Sequence, residues 1–344
     1  MIDFNKRQQW IDITRGLSIL FVISFHLLSG TEYLNLVENV PGYIYFSRAI
    51  GFLNSTVAPI RMELLMLLSG MLVSRGLQKG IEKYHKGKIK SILYPYLIWS
   101  LVMLVLMSAR GLVSGEKDIH DVVVYFFKII IGVPSVTWFL YWVFVFFMIQ
   151  PWTRNFNPLL VLPVVLALSF ILAEVEPLLI SDGLSAGVSF STACYCYAFF
   201  FLGDYIIKSG VDLAEVVRNK YLIALSLFSL ITLSFIMNST SLNHTNIALF
   251  PLAVLSLVTI AIIAQMLEKL KVGKVFAFIG VNSIFFYLMH IPVFMIIKRT
   301  VPLLNFSEAA TAITIWIAVL LVPYIAVKLR DKKFIRIFFE YRWA

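Results

Sequence analysis

Long apolar stretches recur along the whole 344-residue chain, and they constrain its fold more than any other feature. Each is about 17 to 25 residues long, which is the length that an α-helix needs to cross the hydrocarbon core of a bilayer. Charged residues make up 14% of the sequence, whereas soluble domains carry about 25%. Because lipid cannot satisfy backbone polar groups, the pattern predicts an all-α, polytopic helical membrane protein.

The apolar pattern predicts ten membrane spans. The first apolar stretch lacks the small-residue cleavage site of a signal peptide, so it is predicted to be a retained helix. No soluble domain is predicted at either end, and residues 1–344 are interpreted as one integral membrane domain. The predicted spans are 12–30, 51–74, 91–109, 136–152, 158–174, 190–207, 220–237, 247–267, 282–298 and 310–328.

The distribution of Lys and Arg predicts the orientation. With the N-terminal Lys6 and Arg7 placed inside, the inner segments carry 21 of the 29 Lys and Arg residues. Cytoplasmic loops are enriched in these residues, so both termini are predicted to be cytoplasmic. The same bias accounts for the net charge of +10 without a nucleic-acid partner. The largest inner group is Arg75, Lys79, Lys83, Lys86, Lys88 and Lys90.

Three segments need separate interpretation. Segment 119–133 contains Lys128 and is too short to span comfortably, so it is predicted to be an interfacial or re-entrant helix on the outer side. The aromatic runs 94–100 and 137–147 are interpreted as interfacial belts. Cys194 and Cys196 lie two residues apart in an apolar run and are predicted to be buried thiols, not a disulfide or a metal site.

Ionisable residues inside predicted spans are costly and usually functional. No histidine pair has the spacing of metal ligands on one helix, so no metal site is predicted. The remaining histidines, His85, His120 and His244, lie in predicted loops and are assigned no role. The intramembrane candidates are Asp12, Arg15, His26, Arg61, Glu63, Asp204 and His290.

The first span places Arg15 and His26 on one helix face. Eleven residues turn an α-helix by about 20° beyond three full turns and separate the two positions by about 16 Å. Arginine near the inner mouth suits a phosphate-bearing ligand, and a histidine above it suits proton transfer. The alternative is structural: Arg15 snorkels and pairs with Asp12, while His26 bonds a neighbouring helix. The spacing alone leaves both interpretations open.

The second span adds a carboxylate. Glu63 lies twelve residues from Arg75, about 18 Å above the inner surface and at a depth similar to that of His26. A carboxylate beside the imidazole would orient it and raise its basicity. Alternatively, Glu63 pairs with Arg61 or Arg15 for structure alone.

Two further groups belong to this hypothesis. Ser69 and Gly70 are predicted to let two helices approach closely. His290, midway through the ninth span, is either a second polar group lining the same cavity or an ordinary interhelical histidine.

The arginine, ten intervening residues and histidine of the first span resemble the signature of the acyltransferase-3 family of integral membrane acyltransferases. "IDITRGLSILFVISFH" is similar to the family's usual opening. "MELLMLLSGML" resembles its acid-hydrophobic-Ser-Gly block, with Leu and Met where many members have Phe. "KIKSILYPYLIWS", "TWFLYWVFVFFMIQP", "YAFFFLGDYI" and "SIFFYLMHIPV" are similar to later blocks in the same order, so the resemblance covers residues 10–328.

The resemblance implies an O-acyltransferase that uses cytoplasmic acyl-CoA, usually acetyl-CoA, and no metal. The implied acceptor is a carbohydrate, free or lipid-linked, at a bacterial inner (cytoplasmic) membrane. The chain resembles the short form, without an extracellular hydrolase-like domain, that modifies O-antigens, capsules, common antigen or exopolysaccharides.

The resemblance also implies roles for individual residues. His26 would be the catalytic histidine and Arg15 the donor-binding arginine, and Glu63 aligns with an acid found in many members. We add Asp12, Ser69 and His290 as predicted substrate-binding residues.

Two other functions remain open at this point. Intramembrane Arg, His and Glu also occur in proton-coupled transporters or flippases of glycolipids or organic anions. The sequence shows no inverted repeat and no matching pair of broken helices, which disfavours a transporter. The other is a membrane scaffold or sensor, which would tolerate neutralisation of the ionisable face.

Overall fold

A computed structural model describes residues 8–32, 42–114, 118–130, 137–179, 189–301 and 306–340. Within these ranges the regular structure is entirely helical. A π-helical turn, Ile89–Leu93, and a 3-10 turn, Ile247–Leu249, join longer helices. The helices are α1 Gln9–Glu32, α2 Tyr43–Gly70, α3 Val73–Leu77, α4 Ile81–Lys88, α5 Tyr94–Ser114, α6 Ile119–Ile130, α7 Trp138–Thr153, α8 Pro158–Leu179, α9 Phe190–Lys208, α10 Leu213–Val216, α11 Lys220–Ser239, α12 Phe250–Glu268, α13 Gly273–Val281, α14 Ser283–Thr300, α15 Glu308–Lys328 and α16 Lys333–Arg336.

The described residues contain nine helical segments that are long and apolar enough to cross a membrane. The protein is therefore a multi-pass helical membrane protein, as the sequence predicts. Nine of the ten predicted spans correspond to one of these segments. Lys6, Arg7 and Arg342, which contribute to the orientation prediction, lie outside the described residues.

The fourth predicted span, 136–152, differs from the others. Its helix, α7, has 16 residues, which rise about 24 Å and fall short of the roughly 30 Å hydrocarbon core. The hydroxyl of Thr137, just before α7, lies 2.8 Å from that of Ser100 in the middle of α5. At its other end, α7 leads to Arg154, which binds Asp204 near the end of α9. The helix α7 therefore begins at mid-depth and covers only the inner part of a crossing.

The helix α6 lies along α5, next to the start of α7. Tyr125 on α6 donates to Met107 Sδ at 3.4 Å, and Tyr96 on α5 donates to the carbonyl of Ile129. Ile129 is thus held one helical turn from Ser100, where α7 begins. The helices α6 and α7 therefore meet beside α5, whereas the interfacial or re-entrant helix predicted for 119–133 stays a prediction, and residues 131–133 lie outside the described residues.

Burial separates central helices from peripheral ones. In the apolar segments that contain α2 and α9, 67% of residues are buried, and in α1 56% are. The corresponding shares are 6% in α8 and 17% in α11, whose side chains are mostly directed outward. The helices α1 and α2 contact each other, and α1 also contacts α12, α13 and α14. The two helices that carry most intramembrane ionisable groups thus form the centre of the bundle.

Glycine permits two close helix crossings. A Cβ added at Gly70 would lie 1.9 Å from the carbonyl oxygen of Phe200 on α9, and one at Gly203 would lie 2.0 Å from that of Leu67. Gly16 on α1 and Gly280 on α13 form a second such crossing. The predicted role of Gly70 in close helix approach is confirmed.

The interpretation of the aromatic runs as interfacial belts is wrong for several members. Tyr96 and Trp99 are buried, 1% and 7% exposed. Trp99 donates to the carbonyl of Phe338 at 3.0 Å, and Tyr94 donates to that of Ile337 at 2.7 Å. These residues attach the C-terminal segment to the bundle because a buried Tyr or Trp needs a partner for its polar atom. Cys194 and Cys196 are both free thiols, and Cys196 is buried.

Candidate active site

Arg15, in the first half of α1, lies at a cavity. Arg15 Nη1 lies 4.0 Å from Asp12 Oδ1, so the i,i+3 pair that the structural alternative predicted is present at the limit of an ion pair. Arg15 also lines a cavity of about 250 Å³. Asp12 is buried at the crossing of α1 with Gly280.

The cavity is lined by both polar and apolar side chains. Lys88 and Ser91, from the segment that precedes α5, line it together with Arg15. The Lys88 Nζ lies 3.4 Å from the centroid of the Phe147 ring, a cation–π contact that holds the ammonium group beside the cavity. Ser69 also lines the cavity, and its hydroxyl donates to the carbonyl of Leu65 at 2.7 Å. The remaining wall residues are Ile19, Leu65, Leu72, Ile92, Phe139, Leu140, Val143, Phe147, Ser283, Ile284 and Tyr287.

Tyr287 links this cavity to a pair of histidines. It lines the cavity, and its carbonyl oxygen lies 2.6 Å from His290 Nδ1. His290 is 1% exposed, and its ring centroid lies 5.3 Å from that of His26 on α1. The structure thus brings together His26 and His290, which are far apart in the sequence.

The contact with Tyr287 assigns the tautomer of His290. A carbonyl oxygen can only accept a hydrogen bond, so the neutral ring carries its proton on Nδ1. The Nε2 atom then has a free lone pair, and it has no hydrogen-bond partner among the described residues. Two imidazoles, one with an available acceptor nitrogen, can pass a proton between a reacting hydroxyl and a leaving group.

Glu63 differs from its predicted position beside His26. It is 1% exposed, and its electrostatic neighbours include Tyr195 and Cys196 on α9. In the described part of the chain, no hydrogen bond or ion pair joins Glu63 to His26. The reason is helical geometry: Arg61 faces α1, and a residue two positions later points about 200° away. Within the described ranges, the carboxylate Oε2 of Glu63 and the Tyr195 hydroxyl both lack a hydrogen-bond partner.

A second buried carboxylate has a structural environment. Asp204 is fully buried and accepts two hydrogen bonds from Arg154, at 3.1 and 3.0 Å. Ser74 donates to Asp204 at 2.9 Å, and Gln150 donates at 3.0 Å. Tyr197 donates to Gln150 at 3.0 Å. Every oxygen of this carboxylate is satisfied, so Asp204 links the inner ends of α3, α7 and α9.

The fold and this cavity define the protein as a multi-pass membrane protein with a polar site inside its helix bundle. Residues 8–327 match the model of the acyltransferase-3 family, described as "Acyltransferase domain", and the chain belongs to that family. It is therefore a membrane acyltransferase. No curated protein and no solved structure matches the chain significantly.

Sequence reasoning missed several groups of this region. The sequence pattern gives Lys88 only a role in the orientation, and it does not indicate Ser91 or Tyr287. Lys88 is the next-to-last residue of a basic group that ends at Lys90, and this position is a usable signal because the cations directly before a span lie nearest the membrane. Tyr287 carried no signal, because its backbone carbonyl makes the contact.

Proposed function

We propose that this membrane acyltransferase transfers an acetyl group from acetyl-CoA to a hydroxyl of a cell-surface glycan or its lipid-linked precursor, in a bacterial inner membrane. The observation that carries the proposal is the cavity lined by Arg15, Lys88 and Tyr287, together with the contact of the Tyr287 carbonyl with His290, which lies against His26. The family membership supports acyl transfer as the chemistry.

The basic side chains that line the cavity suit the acetyl donor, acetyl-CoA. The guanidinium of Arg15 and the ammonium of Lys88 would bind the phosphates of CoA, because both cations lie at the same cavity. The apolar walls would then hold the pantetheine arm. Along α1, the distance from Arg15 to His26 is about 16 Å, which is of the order of an extended pantetheine arm.

His26 acts on the acceptor. A sugar hydroxyl is a poor nucleophile at neutral pH and needs a base. The hydroxyl oxygen attacks the thioester carbonyl carbon, the new C–O bond forms, the C–S bond breaks, and the hydroxyl proton passes through His26 to the CoA sulfur. In the alternative route, His26 first accepts the acetyl group on its ring nitrogen and then passes it to the sugar oxygen. Both routes release one free thiol for each ester formed.

Thiol release tests this function. The purified protein in lipid nanodiscs, given acetyl-CoA and the glycan fraction of its host, is expected to release free CoA and to form a glycan O-acetyl ester detected by mass spectrometry. We expect His26→Ala to lower turnover by at least about 100-fold, because general base catalysis contributes about 10²- to 10⁴-fold.

A matched control separates chemistry from folding. His120 is exposed at the start of α6, so His120→Ala removes an imidazole distant from the cavity and should retain normal turnover. Normal glycan acetylation by a folded His26→Ala protein would refute the proposed function. Glycan or glycolipid counterflow into liposomes without thiol release would indicate a transporter instead.

A further inference from the structure

Two buried donors lie on the side of α2 that faces α1, in the outer part of the bundle. Asn54 and Arg61 are seven residues apart. Over seven residues an α-helix rotates by about 20° less than two full turns and rises by about 10.5 Å. They therefore share one helix face. Asn54 is 5% exposed and Arg61 is 9% exposed.

Each of the two side chains is positioned by α1 but keeps a free donor. Asn54 Oδ1 accepts a hydrogen bond from Ser24 at 3.1 Å. The Arg61 guanidinium carbon lies 3.9 Å from the ring centroid of Phe25. These contacts leave Asn54 Nδ2 and Arg61 Nη1 buried with no hydrogen-bond partner among the described residues. Buried donors without partners cost free energy, and a ligand that accepts hydrogen bonds would recover it.

The charge of Arg61 is not balanced by a close carboxylate. Glu63 contributes a favourable charge at longer range, but the two side chains form no ion pair within 4.0 Å in the described ranges. The positive charge of Arg61 interacts electrostatically with His26, the residue that follows Phe25. Among the described residues, the Arg61 guanidinium therefore has no ion-pair partner within 4.0 Å, and its charge acts on the candidate catalytic histidine.

The segment after α11 places His244 near the same guanidinium. Burial and the positive charge of Arg61 lower the pKa of His244 to about 4. His244 is therefore neutral at pH 7, and it neither balances nor adds to the charge of Arg61.

We propose that Arg61 and Asn54 form an anion subsite that holds a carboxylate or phosphate group of the acceptor, and so presents the acceptor hydroxyl to His26. The inference rests on the proposed function and specifies its acceptor class. The free atoms of the guanidinium and of the amide are both N–H donors. A carboxylate or phosphate group supplies oxygen atoms that accept hydrogen bonds from them. Such a group occurs on acidic sugars and on phosphate-linked lipid carriers.

Binding of paired probes tests the subsite and its two possible sources. Methyl glucuronide and methyl glucoside differ in one carboxylate, and farnesyl phosphate and farnesol differ in one phosphate. Dissociation constants of the purified protein in nanodiscs are measured for all four by isothermal titration. We expect one anionic probe to bind at least about 10-fold more tightly than its neutral counterpart, because a hydrogen bond to a charged group contributes about that factor or more. Preference within the first pair indicates an acidic sugar, and preference within the second indicates a lipid phosphate.

Three variants attribute the preference to the subsite. Arg61→Gln removes the charge, and Asn54→Asp replaces the N–H donor with a carboxylate that repels an anion, at nearly unchanged volume; both should abolish the preference. Arg48→Gln removes an exposed cation from the same helix and should leave the preference intact. Size-exclusion profiles of the three proteins establish that they are folded.

The outcomes distinguish this inference from the proposed function. Equal binding within both probe pairs, or a preference that survives both Arg61→Gln and Asn54→Asp, would overturn the subsite even if acetyl transfer is observed. A preference that both variants abolish supports the subsite even if no thiol is released, in which case the proposed function fails alone.

Discussion

At the residue scale, the intramembrane ionisable groups divide by whether their polar atoms are satisfied. The oxygens of Asp204 are bound by Arg154, Ser74 and Gln150. In contrast, His290 Nε2 and Arg61 Nη1 have no hydrogen-bond partner in the described structure. A satisfied group stabilises the fold, whereas a buried polar atom without a partner costs stability unless a ligand uses it. This difference is why we assign binding to Arg61 and structure to Asp204.

The pair Arg154–Asp204 gives a stability prediction. Arg154→Leu leaves the carboxylate of Asp204 buried without its cation, and breaking a buried pair in this way costs about 3–5 kcal/mol. We expect a clear fall in the heat-denaturation midpoint of the detergent-solubilised protein. The control is Lys86→Ala, which breaks an exposed pair with Glu82 and should leave the midpoint unchanged. Equal midpoints for Arg154→Leu and wild type would contradict the structural role.

At the element scale, the helix contacts at glycine determine which side chains meet. The crossing of α2 and α9 at Gly70 and Gly203 brings two backbones together and places Glu63 against Tyr195. The period of an α-helix predicts correctly that Arg15 and His26 lie along one side of α1. It does not predict the partner of Glu63, because the partner depends on the rotation of α2 relative to its neighbours.

A substitution at Gly70 tests this packing. Gly70→Ala would place a Cβ 1.9 Å from the Phe200 carbonyl oxygen and force α2 and α9 apart, at a cost of about 1–3 kcal/mol. Gly51→Ala is the matched control on the same helix, because an added Cβ there meets nothing within 4 Å. We expect Gly51→Ala to be neutral or slightly stabilising, since Ala favours helix over Gly. The readout is again the denaturation midpoint, and a smaller loss for Gly70→Ala than for Gly51→Ala would contradict the close crossing.

At the scale of the whole molecule, the bundle encloses a site between helices that are distant in the sequence. The helix α1 contacts α2 and α14, which supply Ser69 and His290 to the same region. The helix α7 contributes Phe139 and Phe147 to the cavity wall. The proposed function, with its donor on one side and its acceptor on the other, therefore requires a defined orientation of the bundle in the membrane.

The predicted orientation is tested by labelling. Lys83→Cys on α4 is expected to be accessible only from the cytoplasm, and Asn243→Cys after α11 only from the outside. A membrane-impermeant maleimide applied to intact cells should label Asn243→Cys, and it should label Lys83→Cys only after the membrane is permeabilised. Serine replacement of Cys194 and Cys196 removes the background. Labelling of Lys83→Cys in intact cells would invert the predicted orientation and place the cavity proposed to bind CoA on the outer side.

The sequence by itself determined the helical, membrane-crossing class of this protein and the alignment of Arg15 with His26. Both follow from interactions within one segment: apolar length fits the bilayer, and the helical period relates residues a few turns apart. Only the tertiary structure decided that His26 meets His290 instead of Glu63 and that α6 and α7 meet beside α5. It also decided that Arg61 and Asn54 keep donors without a hydrogen-bond partner among the described residues. These features depend on how separate helices rotate and slide against one another, which is determined by side chains far apart in the chain.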